Sequence, residues 1–221
     1  MRECWASWPG SFSPREHGET CMKFSRSLLA LMAVIVIAFV VIGVRLVIWS
    51  GNNSEGAKAI PAIGGPFQLT DHNGKQVSDR DFRNRYMLIF FGYTFCPDVC
   101  PTTLSTVTAA MEKLGTGYGK KVVPIFVTID PERDTVAVMK EYVGAFSPDI
   151  VGLTGTPDEI AKVAKEFKVY AAKVKGDRPE HYTVDHSAIL YLMGPDGKFV
   201  AHFTHGISAD DLAAGLKKHV G

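Results

Sequence analysis

The sequence predicts an α/β domain with a mixed central sheet, preceded by one N-terminal transmembrane helix. From residue 66 onward, short strand-like runs alternate with helix-like segments, and the chain finishes with two strands and a helix. Such alternation is typical of α/β folds, and the final strand pair makes the sheet a mixed one. Upstream of the domain, a long apolar run has the length of a membrane-spanning helix.

The composition is that of an ordinary globular protein. Apolar residues make up 46% of the 221 positions and charged residues 21%, which excludes collagen-like, low-complexity and wholly disordered chains. The formal net charge of +1 lacks the basic excess of a general nucleic-acid binder, so we expect no nucleic-acid partner. Four cysteines are too few to build a small disulfide-stabilised protein.

A membrane anchor is predicted over residues 27–49. Its centre, residues 28–44, is an unbroken run of seventeen uncharged and almost wholly apolar positions. As a helix, the 23 residues of the segment would span about 34 Å, enough to cross a bilayer. Arg45 and Trp49 near its end suit the interface between lipid and water.

A cleaved signal peptide is the alternative, because Lys23 and Arg26 precede the apolar run. The nearest small-residue cleavage pattern, Ala57-Lys58-Ala59, lies well past that run, and the run is long for a signal peptide. An uncleaved anchor is therefore favoured. The flanking basic residues indicate an N-terminus on the inner side of the membrane and a long C-terminal part on its outer side.

The remaining segments complete the domain organisation. Residues 1–21 show no apolar periodicity, whereas a short basic start followed by the anchor begins at Met22. We hypothesise that translation begins at Met22 and that residues 1–21 are a doubtful N-terminal extension. Residues 50–65 are rich in Gly, Ala and Asn and are interpreted as a linker. The domain proper is predicted at residues 66–221.

The domain is predicted to begin with a hairpin and a buried strand. Runs at 67–70 and 76–77 flank Asn73-Gly74, a strong signal for a hairpin turn. The continuous apolar run 86–93, YMLIFFGY, is expected for a buried central strand.

Helices and strands then alternate to the C-terminus. A helix at 102–114 is expected to end at Gly115, and the strand at 121–130 to be irregular at Pro124, because proline removes a ladder hydrogen bond. The other predictions, in chain order, are a helix at 135–146, a strand at 150–153, a helix at 157–168, strands at 187–193 and 199–203, and a helix at 208–218.

The candidate chemistry concentrates after the first buried strand, where Cys96 and Cys100 are four residues apart. If the chain enters a helix there, both thiols fall on one helical face, near enough to form a disulfide or to share a metal. A helix N-terminus also favours thiolates, the form that binds metal and attacks disulfides. A purely structural disulfide is the alternative, but closing so short a loop gains little chain entropy.

A third candidate residue is His186, which comes just before a predicted strand of the same sheet and can reach the junction that holds the cysteines. The other histidines of the domain are weaker candidates, because they lie in turns, a polar loop, a strand or the chain end. These are His72, His181, His202, His205 and His219. Two thiolates alone do not choose between a metal site and a redox site.

Three blocks of the sequence resemble the signature blocks of the Sco/SenC family. They are Phe95-Cys96-Pro97-Asp98-Val99-Cys100-Pro101, Asp130-Pro131-Glu132-Arg133-Asp134-Thr135 and Val184-Asp185-His186-Ser187. The resemblance extends over residues 65–218, and the preceding anchor agrees with it. Val136 departs from the family pattern, which often has proline there, and this departure is expected to alter only a helix start.

The resemblance implies a thioredoxin-like fold and a copper site formed by Cys96, Cys100 and His186. It also implies a role in delivering copper to the binuclear copper site of cytochrome c oxidase, or in reducing the cysteines of that site. The chemistry of the residues agrees, because two thiolates and an imidazole form a soft set that suits Cu(I), while the imidazole keeps Cu(II) accessible. Zinc accepts such ligands too, but a structural zinc site normally has a fourth.

The other charged and polar residues of these blocks allow alternative interpretations. Asp185 either orients the histidine as a hydrogen-bond acceptor or is a surface acid. Asp134 or Thr135 is expected to cap the next helix. The alternative for this block is that Asp130 or Arg133 lines the copper site or a docking face.

Three functions stay open at this point. The favoured one is a membrane-anchored copper chaperone that helps assemble cytochrome c oxidase, with the copper-carrying subunit of the oxidase and a further periplasmic copper donor as partners. The second is a thiol–disulfide oxidoreductase that reduces cysteines of a partner protein, and the third is a peroxide-reducing enzyme on the same fold. A classical enzyme is not expected. The expected location is the bacterial inner membrane, single-pass, with the N-terminus cytoplasmic and the C-terminal domain periplasmic.

Overall fold

The computed structural model describes residues 26–52, 63–176 and 182–221. The chain divides into two compact units, residues 1–58 and 59–221. The extension 1–21, the start proposed at Met22 and most of the linker 50–65 lie outside the described residues.

The described part of the first unit is a helix, α1 (Arg26–Asn52). The side chains described in it, those of residues 30–45, are exposed. No helix in the described part of the chain combines the length and the apolar character needed to cross a membrane.

The second unit is an α/β domain built on a mixed sheet, as the sequence predicts. Its strands are β1 (Gln68–Asp71), β2 (Gln76–Ser78), β3 (Tyr86–Gly92), β4 (Val122–Thr128), β5 (Val151–Thr154), β6 (Ala171–Lys175), β7 (Tyr182–His186), β8 (Ile189–Met193) and β9 (Phe199–Thr204). Its helices are α2 (Val99–Leu114), α3 (Thr116–Gly119), α4 (Val136–Gly144), α5 (Pro157–Glu166) and α6 (Ala209–Val220), with a 3-10 turn at Asp79–Phe82.

Seven of the strands form one sheet in the order β2-β1-β5-β4-β3-β8-β9. The three central strands β5, β4 and β3 run parallel, and the outer strands pair antiparallel. Strands β6 and β7 form a separate two-stranded sheet. The domain therefore consists of a mixed sheet and one additional hairpin.

The centre of the sheet is buried because β3 and β4 carry almost only apolar side chains. Alternate side chains point to opposite faces, so Phe91 packs in one hydrophobic cluster and Phe90 in the other. Gly92 at the end of β3 lies opposite Thr128 at the end of β4. The loops after these two parallel strands consequently emerge at the same edge of the sheet, which brings distant sequence blocks together.

The irregularity expected at Pro124 is absent, and that prediction is wrong. Pro124 lies fully buried in β4, and the register with β3 continues through Leu88 and Pro124 without a shift. The ladder to β5 begins only at Ile125. One side of β4 is therefore unpaired at Pro124, and a missing N–H interrupts no ladder there.

Helix α2 and the hairpin of β6 and β7 also differ from the expectations. Helix α2 begins at Val99 rather than at 102, because Pro101 falls in its first turn, where the backbone N–H groups have no helical partner. The hairpin of β6 and β7 is not predicted by the sequence pattern. Its β6 strand has only five residues and is largely exposed, so it lacks the run of core-forming apolar residues that marks the central strands.

Candidate metal centre

The two cysteines lie on either side of the start of α2. Cys100 is the second residue of the helix and is fully buried, whereas Cys96 lies in the preceding loop and is half-buried. The condition under which both thiols would share one helical face, a helix that includes Cys96, is therefore not met. The helix N-terminus still acts as expected, because the N–H of Cys100 points at Cys96 Sγ, 3.5 Å away.

Gly92 at the end of β3 provides the space that the Cys100 side chain occupies. A Cβ atom at this position would lie 2.6 Å from Cys100 Sγ and 2.8 Å from the Phe126 ring. Such distances are shorter than van der Waals contact, so any side chain at position 92 would displace the thiol or the ring.

His186 reaches the cysteines from the end of β7. Val184 anchors this strand, since its side chain is buried in the core of the main sheet. Reciprocal contacts hold the chain just beyond it, since Ser187 N–H donates to Tyr170 O at 3.0 Å and Tyr170 N–H donates to Ser187 Oγ at 3.1 Å. The imidazole packs edge-on against the rings of Phe90 and Tyr93 at 6.2 and 5.9 Å between centroids.

The side chains of Cys96, Cys100 and His186 converge on one point. Their candidate ligand atoms all lie within 4.8 Å of one another, and Cys100 Sγ is 3.6 Å from His186 Nε2. Both cysteines are free thiols. The structure thus brings together the three residues singled out from the sequence.

The two thiols differ in their tendency to ionise. Hydrogen bonding from the Cys100 thiol, with further donation from the N–H groups of Asp98 and Cys100 and from His186, lowers the pKa of Cys96 to about 4. The Cys96 thiolate beside it, together with burial, raises the pKa of Cys100. The pair therefore holds one thiolate, on the more exposed sulfur, and one proton.

A buried hydrogen-bond network around Asp134 supports the cysteine loop. Its carboxylate accepts hydrogen bonds from Thr94 N and Thr94 Oγ1 at 3.1 and 2.6 Å, and from Thr128 Oγ1 at 2.6 Å. Burial raises the pKa of this carboxyl. Thr135, not Asp134, caps α4, by accepting from Val138 N. Asp134 therefore ties the loop before Cys96 to the end of β4.

Arg133 connects the second sequence block to the first block and to strand β7, which leads into the third block. It forms an ion pair with the fully buried Asp130, and its Nη1 donates to Tyr182 O at 3.0 Å. Its guanidinium lies 3.7 Å from the Tyr182 ring and 4.7 Å from the Phe95 ring. The sequence leaves this role undetermined, because it depends on the unpredicted strand β7.

Asp185 does not orient the histidine. Its side chain is exposed, and the Nδ1 atom of His186 lies 3.3 Å from Ser187 O instead. The surface interpretation of Asp185 therefore agrees with the structure.

The other described histidines lie outside the cluster. His72 Nδ1 accepts a hydrogen bond from Gly152 N at 3.0 Å. His202 stacks on Phe199 on the outer strand β9, and His205 contacts Thr103. His219 is in the last turn of α6, and His181 lies outside the described residues.

The donor set fits a soft monovalent metal. Two sulfurs and one imidazole nitrogen match the preference of Cu(I), and the imidazole also suits Cu(II). Cys96 and His186 are each partly exposed, while Cys100 is buried. The cluster is therefore open on the side of Cys96 and His186.

Comparison with known proteins gives a family match over most of the chain. Residues 55–221 match the family described as SCO1/SenC. The structure of Bradyrhizobium japonicum ScoI with copper bound is 49% identical and superposes with a TM-score of 0.67, covering 72% of this chain and 99% of that one. A structure of BsSco, described as a member of the Sco family of cytochrome c oxidase assembly proteins with a disulfide switch, is 28% identical, with a TM-score of 0.56, and covers 72% of this chain and 94% of that one.

Curated relatives extend the match to eukaryotes. Protein sco1 of Schizosaccharomyces pombe is 44% identical over 158 residues, which are 71% of this chain and 60% of that protein. The chain spans 47–60% of the length of the first curated relatives.

Proposed function

The chain belongs to the SCO1/SenC family, and from that premise we propose that it is a copper-binding protein of cytochrome c oxidase assembly. Cys96, Cys100 and His186 hold the copper, and the acceptor is the copper-carrying subunit of the oxidase. The observation that carries this proposal is the convergence of two sulfurs and one imidazole nitrogen within 4.8 Å. Two findings support it: a relative with 49% identity binds copper, and another is described as an oxidase assembly protein.

Each ligand has a separate task in this proposal. Cys96 is already ionised at neutral pH, because its pKa is lowered to about 4, and is ready to bind metal without losing a proton. Cys100 and His186 lie 3.6 Å apart and complete the set. Three protein ligands with one open side leave room for ligands of an acceptor, which transfer of a metal requires.

Metal transfer is tested by mixing the copper-loaded chain with the copper-free, reduced soluble domain of the oxidase subunit. The expected result is copper on the acceptor after the two proteins are separated, with its characteristic copper–thiolate absorption. Retention of all copper by the donor at equilibrium would contradict the delivery role. His202→Ala is the matched control, because His202 lies on β9 away from the cluster.

Thiol–disulfide exchange is a second candidate function, favoured by the uneven ionisation of the two thiols. The Cys96 thiolate attacks a partner disulfide and releases one partner thiolate. The Cys100 thiol then attacks the Cys96 sulfur, and its proton goes to one partner thiolate. The partner becomes a dithiol when its second thiolate takes a proton from water. Two electrons pass to the partner, and a Cys96–Cys100 disulfide remains.

The two functions separate in one assay with the oxidised acceptor domain. Reduction of its disulfide by the metal-free chain, blocked in Cys96→Ala, supports exchange. No reduction by the metal-free chain, together with copper transfer to the reduced acceptor, supports delivery alone.

Membrane attachment and location are a further part of the proposal and rest on the sequence. Residues 27–49 would anchor the chain in a bacterial inner membrane with the domain 66–221 in the periplasm. The apolar run 28–44 and its basic flanks support this arrangement. Protease digestion of spheroplasts tests it, since an external domain is degraded whereas a cytoplasmic one survives until lysis.

A further inference from the structure

The hairpin that carries His186 is not part of the main sheet. Strands β6 and β7 pair only with each other among the described strands, and the seven-stranded sheet excludes them. The cysteines, in contrast, follow directly from the central strand β3. The third candidate ligand therefore needs contacts outside the sheet to stay within 4.8 Å of the sulfurs.

Arg133 contacts both the hairpin of His186 and the loop of Cys96. Toward the hairpin, its Nη1 donates to Tyr182 O at 3.0 Å and its guanidinium lies 3.7 Å from the Tyr182 ring. Toward the cysteine loop, the guanidinium lies 4.7 Å from the ring of Phe95, the residue before Cys96. It is also 5.7 Å from the ring of Tyr93, which packs against His186.

The buried Asp130 carboxylate fixes the position of the Arg133 guanidinium. This carboxylate is fully buried, pairs with Arg133, and accepts a hydrogen bond from Tyr182 Oη at 2.8 Å. The neighbouring ion pair Lys173–Glu132 also joins the hairpin to this turn, but its side chains are 46% and 60% exposed. An exposed pair of this kind contributes little to stability, so Arg133 is the stronger connection.

We propose that Arg133 is a positioning residue for the metal centre, which holds the hairpin of His186 against the loop of Cys96. It does so through its planar fork, which a lysine does not reproduce: Nε pairs with Asp130 while Nη1 reaches Tyr182 O and the flat face stacks on aromatic rings. The test of this role by Cu(I) binding rests on the proposed copper function. The test by hydrogen exchange of the metal-free chain does not.

The copper test is a double-mutant cycle on the full-length chain. Anaerobic Cu(I) competition is measured for the wild type, Arg133→Met, His186→Ala and the double variant. Because Arg133 acts through His186, Arg133→Met should weaken Cu(I) binding about tenfold in the wild-type background. In the His186→Ala background, Arg133→Met should change the Cu(I) affinity by less than about twofold.

Two further variants make the cycle specific. Arg133→Lys should bind copper as weakly as Arg133→Met, since it keeps the charge and loses the fork. Arg83→Met is the matched control, because it breaks another arginine–aspartate pair, Arg83–Asp79, with 2.7 Å between Nη2 and Oδ2, and should leave copper binding unchanged. Three results would each overturn the proposal: an equal loss of Cu(I) affinity with and without His186, no loss of affinity in Arg133→Met, or wild-type affinity in Arg133→Lys.

Hydrogen exchange of the metal-free chain gives an independent readout. Amides of residues 182–187 should exchange faster in Arg133→Met and Arg133→Lys than in the wild type, and at the wild-type rate in Arg83→Met. Unchanged exchange would overturn the positioning role even if the wild type binds no copper. A wild type without copper affinity but with the predicted exchange would instead contradict only the proposed function.

Discussion

Cys100 Sγ lies 3.6 Å from His186 Nε2, although 86 residues separate them in the chain. Neither residue belongs to the seven-stranded sheet, since Cys100 lies in the first turn of α2 and His186 ends β7. Their proximity depends on the edge of the sheet where β3 and β4 end.

The first prediction concerns the ionisation of Cys96. The pKa of this thiol is lowered to about 4, mainly by the Cys100 thiol, so its alkylation rate should be nearly constant from pH 6 to pH 8. Cys100→Ala removes the main donor and should raise the pKa of Cys96. Iodoacetamide kinetics, read by mass spectrometry of the Cys96 peptide, measure both. A midpoint near the ordinary value of 9.0 in the wild type would contradict the prediction.

The same shift makes the stability of the reduced, metal-free chain depend on pH. The folded pKa of Cys96 is depressed below its ordinary value of 9.0, so its contribution is fully present above that pH and is lost as pH falls toward 4. The raised pKa of Cys100 acts in the opposite sense, and only above about pH 9. The difference in melting temperature between wild type and Cys96→Ala should therefore grow from pH 5 to pH 8. A difference that is constant over this range would show that the thiolate is not stabilised by folding.

Gly92→Ala should disturb both stability and metal binding. The added Cβ would lie 2.6 Å from Cys100 Sγ, and overpacking of this kind costs about 1–3 kcal/mol. Gly144→Ala at the end of α4 is the matched control, since no atom lies within 4 Å of its added Cβ. Urea unfolding and Cu(I) competition are the measurements. Equal behaviour of the two variants would show that the space at position 92 is not limiting.

Thr128→Val should destabilise the domain by about 1–3 kcal/mol, because it leaves the buried Asp130 N–H without a partner and removes one of the three hydrogen bonds that the Asp134 carboxylate accepts. Thr128 Oγ1 donates to Asp134 at 2.6 Å and accepts from Asp130 N at 2.9 Å. Thr106→Val removes an exposed hydrogen bond to Thr102 O and should cost less than about 0.5 kcal/mol. Denaturant unfolding of both variants tests the network. A decrease of less than about 0.5 kcal/mol in the free energy of unfolding of Thr128→Val would contradict a stabilising role for this network.

His186→Ala should separate metal binding from thiol chemistry. Removing one of three ligands should weaken Cu(I) binding by more than about tenfold. The Cys96 thiol should still react with iodoacetamide at pH 7, because its lowered pKa depends mainly on Cys100. Loss of thiol reactivity together with copper binding would mean that His186 maintains the fold of the loop rather than acting as a ligand.

Much of the fold is predictable because the buried strands have a simple pattern. The apolar runs of β3 and β8 and the Asn73-Gly74 turn between β1 and β2 indicate these elements from local sequence. Pro124 suggests an irregular strand, but a proline is tolerated in β4 because β5 begins to pair only at Ile125, and this is not visible in the local sequence. The start of α2 is displaced for a similar reason, since Pro101 is harmless only if the helix has already begun at Val99.

The candidate site is predictable in its residues and not in its supports. Cys96, Cys100 and His186 are suggested by residue type and by the three sequence blocks. The roles of Asp134 and Arg133 depend on which loops meet at the end of the sheet. Because β6 is short and largely exposed, its sequence gives little local signal for pairing with β7, and the anchoring of His186 becomes visible only in three dimensions.

The most direct test of the central claim is an anaerobic Cu(I) competition titration of the reduced full-length chain, beside Cys96→Ala, His186→Ala and His202→Ala. We expect one tightly held copper per chain, lost in Cys96→Ala, weakened in His186→Ala and unchanged in His202→Ala. A wild type that fails to compete for copper while both thiols remain free would contradict the copper function, and the chain would then be a thioredoxin-like reductase.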